Sequence, residues 1–217
     1  ICYKSKAQAK LKLRVSFNDE SNTFIDYNLK GDGSIEDFSL QFGSGSYTAQ
    51  IWQNIKDKNY FAVETKSFSV ELSDENYVYL NSVQNVNWNY DMKPIKDVRY
   101  IVADSLNEKD GDLLYSCGVD IYGYIVNHIK YDENKIFDLQ HDYLPDIEQI
   151  YNEETGICYD YASLFASMLR SINIPAKLVK GYAHYSPAVY HAWNEVYVNG
   201  DWIVVDITRD ASLLASG

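Results

Sequence analysis

The sequence is short of the residues that would mark several common protein classes. Its 217 residues include three cysteines, Cys2, Cys117 and Cys158. They are too few and too widely spaced for a disulfide scaffold, and no CxxC pair is present to hold zinc. Basic residues are also scarce: 19 Lys and Arg stand against 31 Asp and Glu, a net charge of −12. Binding to a phosphate backbone needs cations, so nucleic acid is not an expected partner. No apolar run reaches the roughly eighteen residues that would read as a membrane-spanning helix. Ile1–Cys2–Tyr3 open the sequence with neither an initiator Met nor an apolar leader, the pattern of a processed or trimmed chain with Cys2 near a lipid-attachment or trimming point.

Apolar residues are plentiful, at 46% of the chain, which argues against disorder despite the charge. The length suits one substantial core or two modest domains. Residues 8–90 read mainly as strands. Leu11, Leu13, Val15 and Phe17 alternate with polar neighbours, and further strands are expected over 23–29, 47–54, 59–64, 66–72 and 76–81. Turn residues at Gly31–Asp32–Gly33, Gly43–Ser44–Gly45 and Asp57–Lys58 separate them. A small all-β, sandwich-like accessory module over 1–90 is expected. Its many tyrosines (20 in the whole chain) suit packing on pleated surfaces better than an aromatic glycan-binding face. Residues 82–96, with Asn and Asp clusters and Pro94, read as a linker.

The pattern then changes to helical spacing. Leu114, Cys117, Ile121, Ile125 and Ile129 form one apolar stripe over 112–130, which makes Cys117 and the neighbouring His128 structural. Cys158, Ala162, Phe165 and Leu169 define a second helix, with Thr155 as the expected N-cap, Cys158 near the third helical position and Pro175 beyond its end. A strand over 177–182 follows. Residues 191–198 and 201–208 form a hairpin about Asn199–Gly200, the strongest local hairpin signal in the chain.

That hairpin carries the chemical expectation. A two-residue turn sets Val198 opposite Asp201, Trp193 opposite Asp206 and His191 opposite Thr208. His191 and Asp206 then share a sheet face as diagonal neighbours, their Cβ atoms about 7 Å apart. A slip of one residue would separate them. Cys158 near a helix amino terminus faces unpaired N–H groups and positive potential, which favour thiolate over thiol. Together the three suit covalent catalysis. The thiolate attacks an acyl carbon, His191 protonates the leaving amine and later activates the acceptor, and Asp206 fixes the imidazole tautomer. The Cys158 N–H is placed to help hold the oxyanion. Each residue alone has a plainer reading, as core thiol, packed histidine or turn cap; their joint arrangement favours chemistry. Zinc on the same three residues has suitable ligand types but no recognised spacing. The chemistry needs no metal and no cofactor.

The residues around this trio resemble the transglutaminase-like cysteine superfamily. The resemblance rests on Gly156-Ile-Cys158-Tyr-Asp-Tyr-Ala162 running on to Arg170, and on Asn173-Ile-Pro175-Ala176 to Gly181-Tyr182. It continues through His191-Ala-Trp193-Asn-Glu195-Val196-Tyr197 and Gly200-Asp-Trp202-Ile-Val-Val-Asp206-Ile-Thr208, covering about residues 112–210. It implies an α+β, papain-like core over 91–217 with helices packed on an antiparallel sheet. Nucleophile, base and orienter fall on Cys158, His191 and Asp206. Ile207 departs from the family, which commonly has Pro there. Tyr131, His184, Tyr185 and Trp193 are candidate site-lining residues; the second oxyanion donor is left open. The implied activity is acyl transfer at a peptide or protein amide through a thioester, with hydrolysis ahead of protein-glutamine crosslinking. A non-catalytic envelope scaffold is the competing class. Relatives with an added β module imply an extracellular or cell-envelope location and peptide substrates, cell-wall-associated ones among them.

Overall fold

The computed structural model describes residues 1–5, 9–20, 23–107, 112–140, 142–185 and 187–216. Packing divides the chain into two units, Ile1–Val78 and Tyr79–Gly217.

The first unit is all β. Strands β1 (Cys2–Lys4), β2 (Leu11–Phe17), β3 (Phe24–Leu29), β4 (Asp32–Ile35), β5 (Gly45–Lys56) and β6 (Asn59–Val70) follow in order. Four of them make an antiparallel sheet in the order β3-β2-β5-β6, and β1 pairs with β4 as a two-stranded ribbon. Alternation in β2 works as its pattern demands, with Leu11, Leu13 and Val15 buried. Tyr27 and Tyr47 are buried too, Tyr27 against Phe38 and Tyr47 among Phe17, Phe42 and Phe68, so these tyrosines pack. The two strands expected over 59–64 and 66–72 are a single strand, continuous through Thr65, with register shifts in the β5–β6 ladder. The strand expected over 76–81 does not form. Asp74 accepts from the Asn76 N–H at 2.9 Å and turns the chain into a short 3₁₀ segment, Tyr77–Tyr79.

In the second unit, the segment read as a linker is ordered. Val83 and Val86 are buried and bridge each other, and helix α1 (Lys93–Ile101) already begins at Lys93, with Pro94 in its first turn where a missing N–H costs nothing. Helix α2 (Leu113–His128) follows, capped by Asp112. Its stripe buries Cys117, Ile121 and Ile125, but Leu114 is exposed. His128 is exposed and stacks on Tyr124. Then come β7 (Lys130–Tyr131), α3 (Lys135–Asp138), α4 (Ile147–Glu153), β8 (Thr155–Gly156), α5 (Cys158–Ser171), β9 (Ala176–Tyr182), β10 (Tyr190–Val198), β11 (Asp201–Val205) and α6 (Ile207–Ser216).

Helix α5 is the core. Everything from Asp160 to Arg170 is buried, so the helix is covered on all sides rather than along one stripe. It ends in a Schellman motif. Asn173 adopts φ +62°, its N–H bonds Arg170 O at 3.1 Å, and the Ile174 N–H bonds Leu169 O at 3.0 Å. Asn173 thus stops the helix before Pro175 is reached. The sheet is antiparallel in the order β11-β10-β9, and Ala192, Asn194, Val196 and Val198 form the buried face of β10. Asn194 is the polar exception: its amide donates to Ala162 O of α5 and Lys177 O of β9, both at 3.0 Å, pinning β10 to the helix and to its neighbour strand.

Candidate active site

The Asn199–Gly200 turn has positive φ at both residues, +54° and +91°, as a type I′ hairpin requires. The ladder runs Val198↔Asp201, Tyr197↔Trp202, Val196↔Ile203, Glu195↔Val204 and Asn194↔Val205, which sets the next position, Asp206, level with Trp193. Pairing stops there. The expected pairing of His191 with Thr208 does not form: β11 ends at Val205, Thr208 is buried in α6, and His191 pairs across with Gly181 on β9. The reason lies in Asp206. Its main-chain oxygen accepts from Asp210 N at 3.1 Å and its Oδ1 from Arg209 N at 3.2 Å, so it is the N-cap of α6 and turns the chain out of the sheet. Ile207 occupies N1, where Pro is favoured in helices generally.

The capping carboxylate serves the imidazole as well. His191 Nε2 lies 2.9 Å from Asp206 Oδ2, both side chains largely enclosed. With Nε2 committed to Asp206, Nδ1 is the ring nitrogen left for Cys158. The hydrogen bond to Asp206, then that to Cys158, raises His191 to about 9 against the opposing effect of burial. Burial works against ionisation of Asp206 also, but hydrogen bonds from His191, Tyr185 and the Arg209 N–H outweigh it and hold this carboxyl below its ordinary value. The pair is therefore imidazolium and carboxylate at neutral pH.

Cys158 is partly exposed at the first position of α5, not the third, and Ile157 is the N-cap. Thr155 lies two residues before the cap, where it and Gly156 pair with Lys130 and Tyr131 in a parallel bridge. The helix start is instead tied by Asp160, which sequence reasoning missed. Its buried carboxylate accepts from the Ile157 N–H at 2.9 Å, from Lys135 Nζ at 2.6 Å and from the Tyr143 hydroxyl at 2.5 Å. An acid three residues after the N-cap is the available signal, half of a capping box. Gly156 makes room for it: a Cβ there would lie 2.7 Å from Asp160 Cβ. Cysteine is thus placed by a glycine on one side and a buried, triply bonded carboxylate on the other.

A cleft of about 380 Å³ opens beside the imidazole, lined by Tyr131, Tyr185, Val189, His191, Thr208, Arg209, Ser212 and Leu213. Tyr131 stands near Cys158; burial first, then the neighbouring thiol, raises its hydroxyl. Tyr185 lines the cleft and donates its hydroxyl to Asp206 Oδ2. Trp193 is not on the cleft wall; it stacks on the His191 ring at 6.2 Å, with Gly181 leaving room for the indole. His184 is exposed beyond Tyr185, 6.4 Å from its ring. A larger cavity of about 510 Å³, between α1 and α2, includes none of these groups; the buried Cys117 is among its lining residues. Among the described residues, no helix is long and apolar enough to cross a membrane.

A family profile of the transglutaminase-like superfamily matches residues 99–207, half of the chain, and the chain belongs to that superfamily. It is 30% identical over 128 residues to the kyphoscoliosis peptidase of Mus musculus and 29% identical over 123 residues to that of Homo sapiens. Each match covers 52% of this chain, but only 19% of the mouse and 18% of the human protein, so the chain spans about a fifth of these relatives. Among solved structures, a proposed cysteine protease from Cytophaga hutchinsonii is similar with a TM-score of 0.50 and 18% identity, over 96% of this chain and 69% of that one. That likeness concerns the fold: an α+β transglutaminase-like core with a β-rich region before it.

Proposed function

We propose that the protein is a cysteine acyl-transfer enzyme that cleaves peptide or protein amides through a thioester on Cys158, with water as the principal acceptor. The observation that carries this is the single imidazole held between a carboxylate and a thiol, Asp206 2.9 Å from Nε2 and Cys158 as the ring's second partner. In the first half-reaction Cys158 Sγ bonds the amide carbon, the carbonyl electrons move to oxygen, and the Cys158 N–H is a candidate donor to that oxyanion. Collapse expels the amine, which takes its proton from the His191 imidazolium.

The second half-reaction needs His191 as a base. Part of its raised proton affinity comes from Cys158, and this part vanishes once the sulfur carries an acyl group. Acylation therefore lowers the proton affinity of the same imidazole that must next take a proton from the acceptor. Water is preferred as acceptor because the curated relatives are named peptidases. The relay beside an open cleft favours catalysis over a scaffold role. Intact-mass analysis after incubation with peptide and amine mixtures tests the proposal. Cut peptides or Gln-to-Glu conversion support hydrolysis, an amine adduct shows transfer to amines, and persistence of any of these products in Cys158→Ala overturns the assignment.

A further inference from the structure

Asp206 Oδ2 serves two donors. His191 Nε2 is one, and the hydroxyl of Tyr185, from the β9–β10 connection, is the other. The Tyr185 ring is held in place from both sides: it meets the His191 ring edge-on at 6.1 Å, and the Arg209 guanidinium covers it at 4.2 Å. Arg209 thus touches the carboxylate through its N–H, and the tyrosine that shares that carboxylate through its side chain. Such a closed arrangement does not follow from a tyrosine merely lining a cleft.

Resting on the acyl-transfer reading above, we propose that Tyr185 is a positioning residue. It acts through Asp206, drawing on the carboxylate's charge so that the carboxylate's hold on the His191 proton is moderated and the neutral ring stays accessible for the second half-reaction. Orientation alone does not require it. Asp206 is already fixed by capping α6 through Oδ1, so the contribution left to the Tyr185 hydroxyl at Oδ2 is electrostatic. A carboxylate oxygen that accepts from a second donor is a weaker partner for the first, because part of its charge is already engaged. The direction of the Asp206 perturbation agrees, since Tyr185 is among the groups that hold this carboxyl ionised.

Several titratable and charged groups surround the unit. Cys158 faces His191 from α5, His184 lies against the Tyr185 ring within the β9–β10 connection, Arg209 and Asp210 approach Tyr185 from α6, and Tyr131 lines the same cleft from β7. Of these, Cys158 is hydrogen-bonded to His191 and adds to its proton affinity, so the test removes it. In Cys158→Ala, the ring resonances of His191, one of four histidines, are followed by NMR against pH, with and without Tyr185→Phe. Phenylalanine keeps the ring beneath Arg209 and deletes only the hydroxyl. The expected result is a rise of roughly half a pH unit in the His191 midpoint when the hydroxyl is removed. An unchanged or lowered midpoint overturns the proposal. In the Cys158 background, Tyr185→Phe should slow thioester breakdown at neutral pH and move its rising pH limb upward by the same amount. The NMR midpoint does not depend on turnover, so a chain that forms no thioester with any substrate would defeat the acyl-transfer reading while leaving the Tyr185–Asp206–His191 linkage decided on its own.

Discussion

Replacing Asp206 by Asn separates the two roles this residue carries. Asparagine is as good an N-cap as aspartate, so α6 should keep its start, whereas alanine would cost about 1 kcal/mol at every pH through loss of the cap. What Asn removes is the negative charge facing His191. The imidazole is raised from 6.5 to about 9, with Asp206 as the largest cause, a stabilisation of the charged ring on the order of 3 kcal/mol. Without the charge, burial opposes the cation and the midpoint should fall toward 6.5. The sign of the stability effect follows from linkage. A folded-state value above the unfolded one contributes fully below 6.5 and is lost as pH rises through about 9. Asp206, held below 3.8, contributes above that pH and loses its share as pH falls through its lowered folded value. The pair thus stabilises the fold between these limits. Asp206→Asn should lower stability by about 2 kcal/mol near pH 6, a Tm loss of roughly 4–8 °C, and by much less near pH 10. Thermal unfolding at both pH values, with NMR titration of His191, checks this. An equal loss at both would refute the charge-pair account, leaving only the cap.

Three further outcomes follow from the same geometry. Gly156→Ala sets a Cβ 2.7 Å from Asp160 Cβ and should destabilise the fold by about 2–3 kcal/mol while slowing alkylation of Cys158, both measurable by urea unfolding and timed iodoacetamide labelling. Asn194→Ala removes two buried hydrogen bonds between β10, α5 and β9 and should cost about 2–3 kcal/mol, with faster amide exchange along β10 as a local readout. In the native protein, peptide mapping should find Cys158 alkylated far faster than the buried Cys117, with the exposed Cys2 as the reference for an unassisted thiol; equal rates for Cys158 and Cys117 would remove the case for an accessible nucleophile.

What the sequence made legible is what local rules govern. Asn199–Gly200 sets a hairpin register without help from the rest of the chain, and that register brought Asp206 level with Trp193 and near His191. Alternation in β2 and the helical spacing from Cys158 to Leu169 were equally local. Some misreadings have a local cause, as where Asp206 caps α6 and ends β11; others have a partner distant in the chain. Thr155 has the chemistry of an N-cap, but it is drawn into a parallel bridge with Lys130, some twenty-five residues away, and the helix starts only after Ile157. Asp160 looks like a surface residue of a first turn until Lys135 and Tyr143 fold back onto it. Nothing in the composition of the β9–β10 connection marks Tyr185 as a donor to Asp206, because a loop's conformation is set by what it meets.

Asp206 shows how local and distant demands can meet in one residue. Read alone, an Asp after an apolar strand is a cap, and a cap it is; the plain reading and the chemical one are not rivals. Its cap to Arg209 N fixes Oδ1, and a carboxylate with one oxygen fixed can aim the other at only a narrow range of positions. His191 occupies one of them because the hairpin places it there. Helix α6 therefore contributes to the site without supplying a reacting group. Ile207 at N1 needs no proline ring, because the Asp206 cap already secures the backbone shape that proline favours there. Damage to the first turn of α6 should accordingly reach His191, and a substitution that weakens the turn while leaving the trio intact is expected to lower the His191 midpoint in the NMR titration.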